Sequence, residues 1–165
     1  MKVRLLSSML LCSLLLVLLS SNAYAQSLEA ITESDVMAVI NTIDKAAKKG
    51  NVAGLTAPLA NDVKIKLIVS TPASEKEQVI NLSKEQYAFH ARRAMRRRVS
   101  YTLERKNTRV KIYNDNKTAM VTSELYESLT IAQGTLRTAS SEVYILNLRN
   151  GKILFTSIES RTRVY

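Results

Sequence analysis

The chain has little of what most often marks a site: one cysteine, one histidine, no tryptophan, four glycines and two prolines in 165 residues. The cysteine, Cys12, lies inside an apolar run at the N-terminus. Once that run is removed no thiol remains, which excludes disulfides, thiolate metal sites and a cysteine nucleophile. The single histidine, His90, excludes chemistry that needs a histidine pair and any histidine-based metal site. Glycine-rich phosphate loops, a serine-nucleophile elbow and a calcium loop are also missing. Neither a metal nor a cofactor is therefore expected.

What is present begins with an address. Lys2 and Arg4 precede an almost unbroken apolar stretch from Leu5 to Leu19, and Ala23-Tyr24-Ala25 puts small residues where a signal peptidase reads. The 15 residues of the stretch fall short of the roughly 20 that a membrane-spanning helix needs. Residues 1–25 are expected to be a cleavable secretion signal, cut near Ala25, and residues 26–165 a single exported domain, periplasmic or secreted. Seven residues of the run follow Cys12, whereas a lipid-modified cysteine would close it, so a lipoprotein is not expected.

The charge follows the same division. Of 24 Lys plus Arg and 14 Asp plus Glu, the signal holds two bases and no acid, which leaves 22 bases against 14 acids, or +8. A basic domain favours anionic surfaces, ligands or partners. Export makes nucleic acid a poor partner and anionic lipid or polysaccharide a better one.

Breakers divide the rest. Val36, Val39, Ile40, Ile43 and Ala47 share a face at helical spacing after Thr32 and Ser34 as candidate caps, and Gly50 supplies the stop, so a helix is predicted over Ser34–Lys49. Asn51 can cap a short second helix through Leu59, and Val63, Ile65, Leu67 and Val69 alternate as a strand does. The polar stretch Thr71–Gln78 reads as a surface loop. Ser83 with Gln86 makes a capping box for a helix to about Arg98, with a thin stripe of Tyr87, Ala91, Ala94 and Met95. From Val99 onward the period is two, with turns at Asn114-Asp115-Asn116, Gln133-Gly134 and Asn150-Gly151, the last a strong hairpin signal. Helices followed by antiparallel hairpins predict an α+β fold, its helices packed on one face of a curved antiparallel sheet.

This order resembles the nuclear transport factor 2-like superfamily, in its SnoaL-like branch. The resemblance rests on the first helix leading into Gly50-Asn51-Val52-Ala53-Gly54-Leu55, on Asn114–Val121, and on Ile145–Ser157 with its Asn-Gly-Lys hairpin. Where the family commonly has Trp after that Gly-Lys, this chain has Ile153. The resemblance implies a cystatin-like cone whose sheet wraps a long helix and leaves a pocket at the open end, often in a homodimer. Members include isomerases, dehydratases, polyketide cyclases and domains that only bind, so the fold does not settle the function.

Candidate sites are judged one by one. His90 lies off its helix stripe beside Arg93 and Arg97, which makes it a surface residue rather than a general acid or base. Carboxylates in an apolar cone can move protons beside a carbonyl. Glu124 and Tyr126 face away from the apolar side of their strand, as Ala119, Val121 and Leu125 face inward. Glu127 shares the inward side near the strand's end. Glu142 and Tyr144 share a face with Leu146 and Leu148 and are the weak catalytic candidates, and Tyr87, Glu127, Glu142 and Tyr144 are the expected pocket set. Arg92 with Arg96 and Arg93 with Arg97 form a basic stripe, followed by Arg105, Lys106, Arg109 and Lys111. It is either a solvated face or a dock for an anionic partner or lipid head group. Aromatic residues do not interleave with these bases, as a stacking platform for single-stranded nucleic acid requires. Two readings stand: an exported domain that binds a small apolar or amphipathic ligand or an anionic partner, and a cofactor-free isomerase, cyclase or dehydratase using an inward carboxylate.

Overall fold

The computed structural model describes residues 28–72 and 74–165. The expected secretion signal lies outside the described residues. Helix α1 (Glu33–Lys49) starts on Thr32, whose hydroxyl accepts from the Asp35 N–H while the Asp35 carboxylate accepts from the Thr32 N–H, a reciprocal capping box. It ends where Gly50 takes φ 70°, a left-handed stop that glycine adopts without a Cβ penalty. Helix α2 (Val52–Thr56) follows at once under the Asn51 cap. It is shorter than expected, because strand β1 already begins at Leu59 and runs to Thr71.

Strand β2 (Ser74–Leu82) occupies most of the stretch expected to be a loop. It turns back at Pro72 and pairs antiparallel with β1. It is one edge of the sheet, and its residues 76–81 are exposed, Val79 and Ile80 included, so both its faces meet water and the apolar alternation of a half-buried strand is absent. Helix α3 (Lys84–Arg97) is capped by Ser83 and Gln86 as expected. Strands β3 (Arg98–Ile112), β4 (Thr118–Ile131), β5 (Gly134–Arg149) and β6 (Lys152–Val164) then form a meander. The Asn150-Gly151 turn has φ 51° and 71°, as a two-residue hairpin of the primed type requires.

The six strands form one curved sheet in the order β2-β1-β6-β5-β4-β3. All neighbours are antiparallel except β1 and β6, which pair in parallel because the chain returns to β1 only after the whole meander. The expected α+β architecture holds, with this one parallel pair inside the sheet. Phe155, Ile40, Ile65, Leu146, Val36 and Val121 are the largest fully buried side chains. They join α1 to β1, β4, β5 and β6. Burying each such side chain contributes roughly 1.5–3 kcal/mol, so this contact is what holds α1 on the sheet.

Two bulges decide what faces inward. In β3, Lys106 pairs Glu124 and Arg109 pairs Thr122, so Asn107 and Thr108 stand opposite one residue, with Asn107 at φ 52°. The inward side therefore carries odd residues up to Arg105 and even ones, Val110 and Ile112, after it. In β6 an extra residue at Thr156 has the same effect, moving the inward set from Ile153 and Phe155 to Ile158, Ser160 and Thr162. The concave face is apolar at Val110, Ile112, Ile153 and Phe155 and carries Arg105, Ser160 and Thr162 on the other side of the two bulges.

Candidate functional site

Between the helices and the concave sheet lies a cavity of about 420 Å³, within the size range of small-molecule sites, about 300–1,000 Å³. Most of its lining is hydrocarbon, from Ile43, Leu59, Ile65 and Met95 of the helices and β1 and from Leu103, Leu125, Phe155 and Ile158 of the meander strands, and the meander also contributes hydroxyls, carboxylates and a guanidinium.

The polar wall is organised by Arg105, a residue expected in the basic surface series. That expectation fails: its side chain is 8% exposed, because it alternates with Tyr101 and Leu103 on the inward side of β3 before the bulge. Its Nε and Nη2 donate to the two carboxylate oxygens of Asp44 at 2.9 and 2.8 Å, a bidentate pair. Its Nη1 faces three acceptors: Ser123 Oγ at 2.5 Å, Tyr144 Oη at 3.2 Å and Glu142 Oε2 at 3.4 Å. One nitrogen with two hydrogens cannot serve all three well, and Glu142 is the most distant. Burial works against the guanidinium charge, but Asp44 and then Glu142 outweigh it and hold the Arg105 pKa above its ordinary value.

Glu142 is thus a buried carboxylate left with a long ion pair and one hydrogen bond, from Ser160 Oγ at 3.3 Å. The register explains its company, since Glu142 lies opposite Ser123 of β4 and Ser160 of β6. Burial raises its pKa most; Arg105 pulls it down and Glu127 pushes it up, with the result at about 7. Tyr144 accepts from Arg105 and keeps its own hydroxyl proton to donate. Its ring packs edge-on to Phe155 with centroids 5.3 Å apart, which fixes its direction.

A second carboxylate stands further toward the end of the sheet. Glu127 accepts a hydrogen bond from the Tyr101 hydroxyl and another from Thr138 Oγ1 at 3.4 Å. Burial, and then the Glu127 charge, push the Tyr101 phenol well above its ordinary range, so it stays a donor. Tyr87 reaches the same space from α3. Burial, then Glu142 and Glu127, raise its pKa to about 12.

The structure therefore brings Tyr87, Glu127, Glu142 and Tyr144 together on one cavity. Glu124 and Tyr126 lie on the outer face, as their strand phase implies, where the Tyr126 hydroxyl donates to Glu124. His90 is exposed and reaches the cavity only at its edge, with its ring edge-on to Phe89. Arg92, Arg93, Arg96 and Arg97 are exposed and do not line the cavity. Sequence reasoning missed Asp44 and Arg105. Signals existed for both: Asp44 follows Ile40 by four residues at the border of the α1 stripe, and Arg105 follows Tyr101 and Leu103 at period two.

No protein-family model matches the sequence, and no curated protein sequence is significantly similar to it. Solved structures, however, share the architecture. A candidate scytalone dehydratase from Novosphingobium aromaticivorans superposes with a TM-score of 0.64 over 78% of this chain and 82% of its own, at 11% identity. An NTF2-like protein from Cytophaga hutchinsonii gives 0.58 over 79% and 98%, at 14% identity. The chain has the nuclear transport factor 2-like fold. A third structure with this NTF2-like architecture, a hexachlorocyclohexane dehydrochlorinase (LinA) of type 2, gives 0.61 over 77% and 82% at 10% identity. At such identities the likeness concerns the fold alone. NTF2-like neighbours of this chain include enzymes of different chemistry and a Pseudomonas putida protein of unknown function, so activity has to be argued from the cavity.

Proposed function

We propose that this domain binds a small amphipathic molecule in its cone, outside the cytoplasm if residues 1–25 direct export. The observation that carries the reading is the cavity wall: hydrocarbon from helices and sheet alike, with one cluster of polar groups around Arg105, Glu142 and Tyr144. Such a wall accepts an apolar skeleton with an oxygen function at one end. Tyr87 and Tyr144 supply donors to that oxygen, and Glu142, near its midpoint at neutral pH, can donate or accept. Native mass spectrometry of the protein purified from its producing cells is expected to retain an organic molecule, and to report any homodimer at the same time. A chain that emerges empty, and that takes up no member of a panel of phenols, sterols and fatty acids, would remove this reading.

A second reading is supported by the same carboxylate. A buried glutamate with a pKa near 7, beside a tyrosine whose proton is free, is equipped for cofactor-free proton transfer at a carbon next to a carbonyl, as in isomerases, cyclases and dehydratases. The Glu142→Gln variant separates the two. Under the enzyme reading it keeps the ligand and loses turnover by about 10²-fold or more; full turnover in the variant rules Glu142 out as the base.

A further inference from the structure

We propose that the outer face of α3, with the adjoining mouth of the cavity, docks on an anionic lipid bilayer. The proposal rests on the cavity holding an amphipathic molecule, a class of compound that partitions into bilayers. Helix α3 is two-faced. Tyr87, Ala91 and Met95 line the cavity, while Arg92, Arg93, Arg96 and Arg97 stand in solvent. None of these four arginines forms an ion pair among the described residues. The one acid of the helix, Glu85, sits at its other end and accepts from Ser83. Four unpaired positive charges on one and a half turns call for an anionic surface.

The apolar side chains among them select a bilayer over a soluble polyanion. Phe89 is 57% exposed, and at 100° per residue it lies within about 60° of Arg92, Arg93 and Arg96. Val99, just past the helix, is 73% exposed. A soluble polyanion would pair the arginines and leave both apolar groups in water. A membrane offers phosphate to the first and the acyl boundary to the second.

The mouth lies on the same side. His90 and Ala94 are exposed and also line the cavity, as does Leu136 of β5. Arg93 and Arg97 follow His90 and Ala94 by three residues, which places them along that rim. Docking through this face brings that rim beside the head groups. Among the described residues no helix is long and apolar enough to cross a membrane, and the contact proposed is peripheral.

Flotation with vesicles tests the proposal, using equal parts of phosphatidylglycerol and phosphatidylcholine against phosphatidylcholine alone. The protein is expected to float with the anionic vesicles only. Each basic residue near such a surface contributes roughly fivefold, so replacing all four arginines by serine should reduce partitioning on the order of several hundredfold. Phe89→Ser should reduce it by roughly tenfold and make the remaining binding fully salt-sensitive. All five side chains are exposed, so urea midpoints should stay near wild type. Equal flotation with both vesicles, or flotation with neither, overturns the proposal. So does retention on heparin that matches vesicle binding and ignores Phe89→Ser, since that describes a polyanion site. A chain that floats while empty sinks only the cavity reading; a ligand-loaded chain that does not float sinks only the docking.

Discussion

Replacing Glu142 by glutamine should change the pH dependence of stability in a direction fixed by the site. Burial in the cavity raises the Glu142 pKa from its usual 4.5 to about 7. A raised carboxyl pKa means that between these values the native state holds a proton the unfolded chain has released. Stability is therefore complete below about pH 4.5 and is lost as pH rises through 7. At roughly 1.4 kcal/mol per pH unit, the loss from this one group approaches about 3 kcal/mol by pH 8, as an upper value. Glutamine resembles the protonated acid in shape and can still accept from Arg105 and Ser160, so the variant keeps the low-pH contacts without the penalty. Urea denaturation followed by circular dichroism at pH 5, 6, 7 and 8 should show the two proteins closest at pH 5, with the variant gaining up to about pH 7 and the difference levelling off by pH 8. Parallel stability curves from pH 5 to 8 would refute the reasoning, because they would mean that the buried carboxylate keeps its ordinary pKa.

Two further outcomes follow from the same network and from the first helix. Arg105→Met should destabilise by roughly 3–5 kcal/mol in urea at pH 7, since it leaves Asp44 and Glu142 buried without their shared cation; a loss below about 1 kcal/mol would show that the carboxylates are solvated. Gly50→Ala should cost more than the roughly 1–2 kcal/mol of left-handed strain. At φ 70° its Cβ would stand 2.7 Å from Arg98 Nη2 and dislodge the guanidinium that donates to the Ala47 carbonyl at 3.0 Å. A loss of no more than about 1–2 kcal/mol would show that Arg98 moves away freely.

The residues that announced themselves are those whose role is local. Thr32 with Asp35, Ser83 with Gln86, and Asn150-Gly151 each satisfy a cap or a turn within a few residues, so the helices α1 and α3 and the last hairpin could be read directly. The inward phase of Glu127, Glu142 and Tyr144 was legible too, because β4 and β5 alternate without a bulge between them. Strand β2 was not, since an edge strand with two wet faces carries the composition of a loop. Arg105 was not either: its charge matched the neighbouring surface bases, and only its odd-numbered phase with Tyr101 and Leu103 distinguished it.

By itself the sequence determined the export pattern expected of residues 1–25, the net charge, the lack of a histidine pair, and the order of the elements apart from β2. These follow from composition and from short-range periodicity. Tertiary structure alone decided that Asp44 of α1, Arg105 of β3 and Glu142 of β5 meet, because residues 61 and 37 positions apart are joined only by the wrap of the sheet around the helix. It also decided which carboxylate holds its proton. That depends on how one guanidinium divides its hydrogens among Asp44, Ser123, Tyr144 and Glu142, and no pattern along the chain encodes that division.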